Sequence, residues 1–259
     1  MGHTGTLDPF ATGLLVILVG RATRLARFVE SEAKTYLATA RLGVATDTDD
    51  RTGTPVGPPA DPSGLSRARL AGVLAELAGE QRQRPPHYSA KHVEGERSYR
   101  LARRGVAVDL AETSVVVHRI ELVAWASPEL VFRTTVSAGT YIRALARDLG
   151  ERLGVGAHLT ALRRESIGAL RVQDAIPLER VDPSAVRPAR AVLGHLPAVE
   201  LDEQGRTAVS HGRAVPAEAG ASGDVALAGD VALTFAGELV AVARAGDGWL
   251  RPSVVLGTP

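Results

Sequence analysis

The order of strand-like and helical segments is the feature that most constrains the fold of this chain. Strand-like runs of apolar residues lie at residues 14–19, 36–42, 114–123 and 130–137. Apolar residues at helical spacing follow two of these runs. One set is Leu70, Val73, Leu74 and Leu77, and the other is Ile142, Leu145, Ala146 and Leu149, before which Thr140 is predicted as the helix cap. Because helices and strands do not alternate regularly, this order predicts an α+β fold with a mixed sheet rather than repeated βαβ units.

The end of the chain has a different pattern. Residues 181–196 are rich in Pro, Ala and Arg and show no strand pattern, which predicts a domain boundary. Short strand-like pieces follow, at residues 225–228, 231–235, 239–243 and 253–256. The sequence therefore predicts a large domain over residues 1–190 and a small β-rich domain over residues 197–259.

Residue composition excludes several kinds of chemistry. The chain has no cysteine, so disulfides, thiolate nucleophiles and cysteine-based zinc sites are excluded. The apolar run at residues 14–19 is much shorter than the roughly 20 residues that cross a bilayer, and no signal peptide precedes it. We therefore predict a cytoplasmic enzyme that works without a membrane and uses carboxylate, His, Tyr or Arg side chains.

Basic residues are concentrated in one segment. The formal net charge is only +1, so any RNA-binding surface must be local. The segment 82–104 includes a predicted helix at 98–104. Its only acidic residues are Glu94 and Glu96, whereas its basic residues are Arg82, Arg84, Lys91, Arg97, Arg100, Arg103 and Arg104. An RNA footprint and an ordinary solvated helix face fit this segment equally well.

The glycine-rich segment GHTGTLDPFATG, Gly2 to Gly13, places a carboxylate in a constrained loop. Asp8 directly precedes Pro9, and proline disfavours the helical region for the residue before it. Gly5 and Gly13 permit tight turns on either side, so Asp8 is presented at a fixed angle. Taken alone, an aspartate in this setting is usually a turn residue.

The whole segment, however, closely resembles the catalytic motif of the bacterial tRNA pseudouridine-55 synthase (TruB) family. Segments 34–43 with 46–53, 85–105 and 137–164 resemble the family's further motifs. Segments 211–215 and 237–256 resemble its PUA-type RNA-binding domain more weakly. The resemblance implies a mixed-sheet pseudouridine synthase domain followed by a small PUA-like domain.

The resemblance also implies a reaction. A uridine in the T-loop of tRNA, at position 55, is flipped out, its N1 glycosidic bond is broken, and C5 of the uracil is joined to the sugar. The reaction uses no cofactor and no metal, and the implied partner is the T-arm of tRNA, with no obligate protein partner and a monomeric enzyme. Asp8 is the implied catalytic carboxylate, and attack on C1′ and removal of a proton from C2′ are both open to it.

Five further residues match family positions at the substrate. The implied roles are stacking on the uracil for Tyr36, pairing with Asp8 for Arg143, lining of the uracil pocket for Tyr141 and Leu162, and an RNA contact beside the flipped nucleotide for His3. From the residues alone, Tyr36 and Leu162 also suit core packing, and Arg143 also suits a surface position in the first turn of a helix.

Three aspartates, Asp47, Asp49 and Asp50, lie in a segment at 44–64 that is predicted to be a surface loop. They do not form a calcium loop, because Arg51 and Thr52 occupy places where that motif needs an oxygen ligand and a glycine. We interpret them as loop structure near the site.

The chain departs from the family at its start. The family pattern has a further segment, with a strand, before the motif, whereas Met1 stands directly before Gly2 here. We expect that the start codon was assigned too late, so that this chain lacks a strand beside the site. One rival hypothesis is a catalytically weak RNA-binding or tRNA-folding protein. Another is a carboxylate hydrolase, which the lack of a second paired carboxylate disfavours.

Overall fold

The computed structural model describes residues 1–86, 92–93, 96–97, 111–217 and 228–256. The helices of the first part are α1 (Ala26–Glu30), which follows a 3₁₀ helix at Gly20–Leu25, α2 (Arg67–Glu76) and α3 (Ile142–Leu153). Its strands are β1 (Gly2–His3), β2 (Thr12–Gly13), β3 (Ile17–Leu18), β4 (Lys34–Leu42), β5 (Ala45–Thr46), β6 (Pro55–Val56), β7 (Gly79–Gln83), β8 (His92–Val93), β9 (Glu96–Arg97), β10 (Thr113–Ala126), β11 (Glu129–Val136), β12 (Ala157–Ile167) and β13 (Leu170–Arg171). Among the described residues, no helix is long and apolar enough to cross a membrane.

A seven-stranded mixed sheet forms the centre of this part. Its order is β13-β12-β4-β11-β10-β7, and β2 adds to β12 as a parallel neighbour. Strand β4 is buried on alternate residues, at Tyr36, Ala38, Ala40 and Leu42, as its sequence predicts. The predicted inner faces of α2 and α3 pack with these residues in one core cluster. The α+β prediction is therefore confirmed.

The prediction of one buried strand at residues 14–19 is wrong. Only Leu14 and Leu18 are buried there, and the strand is divided into β2, which ends at Gly13, and the two-residue β3. The backbone N–H of Leu14 still donates to the carbonyl of Arg164 on β12, at 2.9 Å. The chain then leaves the main sheet to pair β3 with β1. The uniformly apolar run at residues 14–19 is therefore divided between two partners, strand β12 at Leu14 and strand β1 at β3.

The predicted cap at Thr140 is also wrong. Helix α3 has Tyr141 as its N-cap residue, without a capping side chain. The hydroxyls of Thr140 and Ser137 instead bond to each other at 3.2 Å. The loop at 44–64 is mostly exposed, but Thr46, Asp49 and Asp50 are buried, so the surface-loop prediction holds only in part. The helix predicted at 98–104 lies outside the described residues.

The last part of the chain has its own small sheet. Its elements are β14 (Ala198–Glu200), α4 (Glu203–Ser210), β15 (Val215–Pro216), β16 (Gly229–Phe235), β17 (Glu238–Gly246) and β18 (Trp249–Val255). The five strands are ordered β14-β16-β17-β18-β15 and enclose a separate core. The predicted β-rich domain is confirmed. Helix α4 was not predicted, and the strand-like residues 225–227 lie outside the described part.

The two parts are joined through the segment that follows the glycine-rich loop. Leu18, Leu25 and Phe28 share an apolar cluster with Val242 and Val254 of the second sheet. Three arginines of the same segment donate hydrogen bonds to residues near the end of the chain. Arg21 donates to the Leu256 carbonyl at 3.1 Å, Arg24 to the Val255 carbonyl at 2.6 Å and Arg27 to the Ser253 hydroxyl at 3.0 Å. The second sheet is thus anchored close in sequence to Asp8.

Two helical glycines give a matched test of packing. A Cβ at Gly150 of α3 would overlap the backbone of Gly156 and Ala157, whereas one at Gly72 of α2 meets open space. We expect Gly150→Ala to lower the free energy of unfolding by about 1–3 kcal/mol. Gly72→Ala should raise it by about 0.5–1 kcal/mol, because alanine favours helix. Urea denaturation measures both, and equal shifts would contradict the close approach at Gly150.

Candidate active site

The loop that carries Asp8 is fixed to strand β12. Gly13 has φ +103°, and a Cβ there would overlap the backbone of Arg164, so only glycine allows the loop to lie so close to the strand. At the other end, the N–H of Thr4 donates to the carbonyl of Val16 at 3.1 Å. Within the loop, the N–H of Ala11 closes a turn on the Asp8 carbonyl at 2.9 Å. Asp8 is therefore held on a backbone that is pinned on both sides.

Arg143 binds the Asp8 carboxylate with two hydrogen bonds. Nη2 donates to Oδ1 at 2.9 Å and Nε donates to Oδ2 at 3.1 Å, which is the two-pronged geometry that best orients a carboxylate. The Arg143 side chain is 5% exposed and that of Asp8 is 29% exposed. The arginine is thus buried, while the Asp8 side chain stays partly exposed to solvent. The structure brings together the two residues that the family resemblance pairs.

Arg143 has further partners on the loop between β5 and β6. Its Nη1 donates to the Thr48 carbonyl at 3.0 Å and lies 3.5 Å from Oδ2 of Asp50, whose side chain is 7% exposed. The other oxygen of Asp50 accepts from the Thr48 hydroxyl at 2.8 Å and from the Thr52 N–H at 2.9 Å. The sequence placed these aspartates near the site but missed the contact of Asp50 with Arg143.

Tyr36 and Leu162 lie on neighbouring strands below the loop. In the pairing of β4 with β12, Tyr36 faces Arg164 and Ala38 faces Leu162, so these side chains share one face of the sheet. Tyr36 and Leu162 are both buried in the main core, against which Phe10 packs. Burial raises the pKa of the Tyr36 hydroxyl, and Asp8 acts in the same direction while Arg164 opposes it. Tyr36 therefore lies within electrostatic reach of Asp8.

Tyr141 is held by a residue that the sequence did not single out. Its backbone N–H donates to Oε1 of Gln83 at 2.8 Å, and its carbonyl accepts from Nε2 of the same side chain at 3.1 Å. Gln83 is buried, so this pairing fixes the start of α3 two residues before Arg143. His3 is exposed on β1, where it pairs with Ile17. The roles predicted for Tyr141 and His3 stay predictions.

Arg164 is the second residue that the sequence missed. Its guanidinium is fully buried and donates to three carbonyls of the loop, those of Leu14 at 2.7 Å, Gly5 at 3.1 Å and Thr6 at 3.4 Å. These carbonyls lie on both sides of Asp8 in the chain. Arg164 therefore ties the loop to the sheet. Its sequence context, a pair of arginines, carries no signal of this role.

The carboxyl group of Asp49 titrates at an unusual pH. Burial raises its pKa from 3.8 to about 6, although Arg147 and Arg143 act to lower it. Asp49 also forms an ion pair with Arg147 at 3.1 Å, so burial outweighs the attraction. Within the described residues, no group of three or more His, Asp or Glu side chains is arranged to hold a metal ion.

The shift in Asp49 predicts how stability depends on pH. Between pH 4 and 6 the folded chain holds this proton more tightly than the unfolded chain, so the contribution of Asp49 to stability falls as the pH rises through that window. Asp49→Asn removes this dependence. Relative to the unchanged protein, the variant should gain on the order of 2 kcal/mol between pH 4 and pH 7. Urea denaturation at the two pH values tests this, and a constant difference would contradict the raised pKa.

Comparisons with known protein families agree with this geometry. Residues 1–142 match the model of the TruB family pseudouridylate synthase N-terminal domain, and residues 143–191 match that of the tRNA pseudouridylate synthase B C-terminal domain. A tRNA pseudouridine synthase B from Aromatoleum aromaticum is 39% identical over 99% of this chain and 83% of its own length. Another from Syntrophobacter fumaroxidans is 43% identical over 78% of this chain and 68% of its own length.

Solved structures share the fold. A Cbf5-Nop10-Gar1 complex contains a chain that superposes with a TM-score of 0.69 at 29% identity, over 94% of this chain and 69% of that one. A chain of an H/ACA RNP bound to a substrate RNA containing 2′-deoxyuridine superposes with a TM-score of 0.74 at 24% identity, over 99% of this chain and 76% of that one. Since one family model covers more than half of the chain and curated relatives align along nearly all of it, the chain belongs to the TruB family of pseudouridine synthases.

Proposed function

We propose that this chain isomerises uridine in tRNA to pseudouridine, at position 55 of the T-loop, with Asp8 as the catalytic carboxylate. The observation that carries the proposal is the partly exposed Asp8 side chain, whose carboxylate the buried Arg143 holds by two hydrogen bonds. Relatives named tRNA pseudouridine synthase B, which align with nearly the whole chain, support the choice of tRNA as substrate.

The reaction rearranges one nucleoside without adding or removing atoms overall. The N1–C1′ bond breaks, the uracil turns, and a C5–C1′ bond forms; C5 then loses its proton and N1 ends with one. Asp8 either attacks C1′ and is later displaced by C5, or removes a proton from C2′ and returns it. Both routes use the carboxylate that Arg143 holds by two charge-assisted hydrogen bonds. The target base must first leave its stack, which costs about a few kcal/mol.

The residues around Asp8 then take the parts that the family resemblance implies. Tyr36 stacks on the everted uracil, Leu162 and Tyr141 line its pocket, and His3 contacts the RNA beside it. The shared face of Tyr36 and Leu162 below the Asp8 loop supports this arrangement. The proposal includes residues 1–190 as the catalytic domain, residues 197–259 as a PUA-like domain that binds RNA, and a monomeric cytoplasmic enzyme.

A tRNA labelled with tritium at C5 of its uridines tests the proposed function. Because C5 loses its proton only when pseudouridine forms, the protein should release one tritium equivalent per tRNA. The matched control is the same transcript with cytidine at position 55, from which no tritium should be released. Tight binding of the uridine transcript without release would instead indicate an RNA-binding or tRNA-folding protein.

Replacement of Tyr36 tests the stacking role. Tyr36→Ala should weaken binding of a tRNA that carries a non-reactive uridine analogue at the target by about 1–3 kcal/mol, because stacking on the base is lost. Tyr36→Phe keeps the aromatic ring and should bind within about 0.5 kcal/mol of the unchanged protein. Filter binding measures the affinities, with thermal unfolding to confirm that each variant is folded. If Tyr36→Ala is folded and binds normally, Tyr36 belongs only to the core.

A further inference from the structure

The loop at residues 46–53 has an unusual backbone at its centre. Asp49 has φ +59°, a left-handed conformation that is uncommon for a residue other than glycine. Its N–H donates to the Thr46 carbonyl at 3.2 Å, and its carbonyl accepts from the N–H of Leu159 at 3.0 Å. In this conformation the residues on both sides of it, Thr48 and Asp50, contact Arg143. The side chain of Asp49 itself binds a different arginine.

That second arginine is Arg147, one turn after Arg143 on α3. Its Nη1 donates to Oδ2 of Asp49 at 3.1 Å, and its Nη2 donates to the Arg84 carbonyl at 3.0 Å. Asp148 accepts from Nε at 3.1 Å and from Nη2 at 2.9 Å. Arg147 thus joins the loop, the helix and the segment that leaves β7. Two arginines on one helix face therefore hold three successive residues of the loop.

We infer that Arg147 and Asp49 are positioning residues for the reaction, whose ion pair holds the Thr48 carbonyl and the Asp50 carboxylate against Arg143. Neither residue makes a hydrogen bond to Asp8 in the contacts described. They act through Arg143, whose Nη1 binds the loop while Nε and Nη2 bind Asp8. If the loop shifts, the guanidinium can turn away from Asp8, and displacements of about 1 Å can cost a reaction on the order of 100-fold. This inference rests on the proposed function.

The energetics favour a functional role for the pair over a purely stabilising one. Asp49 combines a left-handed backbone with a buried carboxylate whose ionisation lowers stability at neutral pH. Such local costs cluster at functional sites. The charged groups that face Asp49 are Arg147, Arg143 and Asp148 on α3, and Asp50 is its neighbour on the loop. Because the pKa of Asp49 is about 6, the ion pair is present at pH 7.5 and lost as the pH falls below 6.

Single-turnover kinetics with tritiated tRNA test the inference. We compare the unchanged protein with Asp49→Asn, Arg147→Gln and the double variant, dividing each rate by the fraction of protein that binds tRNA in a stoichiometric titration. At pH 7.5 each single variant should react about 10-fold more slowly, with tRNA affinity within about 2-fold. The double variant should be no slower than the singles, because both remove the same interaction. Arg152→Gln, an exposed arginine of the same helix, should react at the unchanged rate.

The pH dependence separates positioning from simple loss of folded protein. The ratio of the unchanged rate to the Asp49→Asn rate should shrink from about 10 at pH 7.5 toward 1 at pH 5, as Asp49 gains its proton. Single variants that react at the unchanged rate, or a ratio that does not change with pH, would overturn the inference while leaving the proposed function intact. An unchanged protein that binds tRNA but releases no tritium would contradict the proposed function, and the inference with it.

Discussion

Asp8→Asn should abolish pseudouridine formation, lowering kcat by at least about 10³-fold, while tRNA affinity changes by less than about 3-fold. Asparagine has nearly the same shape and can still accept a hydrogen bond from Arg143, but it can neither attack C1′ nor remove a proton from C2′. The loop should keep its conformation, because its backbone is held by Arg164 and by the close contact at Gly13. The measurement is pseudouridine content after steady-state reaction with tRNA.

The matched control for this substitution lies in another acidic residue near the site. Asp47→Asn alters a loop carboxylate that accepts from the Thr54 N–H at 2.8 Å and does not bind Arg143 in the described contacts. It should retain activity within about 3-fold, because a neutral amide oxygen can still accept that bond. Equal losses in both variants would indicate general damage to the region rather than a specific role for Asp8.

Arg143→Met should have the largest effect on stability, lowering the free energy of unfolding by about 3–5 kcal/mol. Among the residues that the structure describes, the substitution removes the one guanidinium that lies within 4 Å of both Asp8 and Asp50, and it leaves the buried Asp50 carboxylate without that ion pair. Urea denaturation measures the change. Arg41→Gln breaks a half-exposed ion pair with Glu129 and should cost less than about 1 kcal/mol.

Arg143→Lys separates the catalytic part of this role from the structural part. Lysine keeps the positive charge but cannot form the two parallel hydrogen bonds to Asp8. We expect a folded protein whose kcat is about 100-fold lower and whose tRNA affinity is little changed. A lysine variant with full activity would show that charge alone suffices and that the two-pronged geometry is dispensable.

Much of the fold could be predicted because its signals are local. The alternation along β4 and the helical spacing in α2 and α3 record which faces are buried, and the structure confirms them. The run at 14–19 failed because its two halves bind different partners, β12 and β1, which no local period can reveal. The cap at Thr140 failed because Gln83, far away in the chain, binds the backbone of Tyr141 instead.

The residues of the candidate site also fall into those that the sequence identified and those that only the fold reveals. Asp8 and Arg143 were identified from motif resemblance, and the structure places them in direct contact across the chain. Arg164, Gln83 and the pair of Asp49 with Arg147 were missed, because their partners are backbone carbonyls or charges that only the fold brings near. The clustered aspartates at 47–50 were the one available signal, and they indicated proximity to the site without a partner.

The most direct test of Asp8 as the catalytic carboxylate begins with a preformed complex. The unchanged protein and Asp8→Asn are each saturated with tritiated tRNA, and an excess of unlabelled tRNA is added as tritium release is followed. We expect the unchanged protein to convert the bound tRNA in one exponential phase and Asp8→Asn to return it unreacted. Conversion of bound tRNA by Asp8→Asn at a rate near that of the unchanged protein would contradict the assignment of the chemistry to this carboxylate.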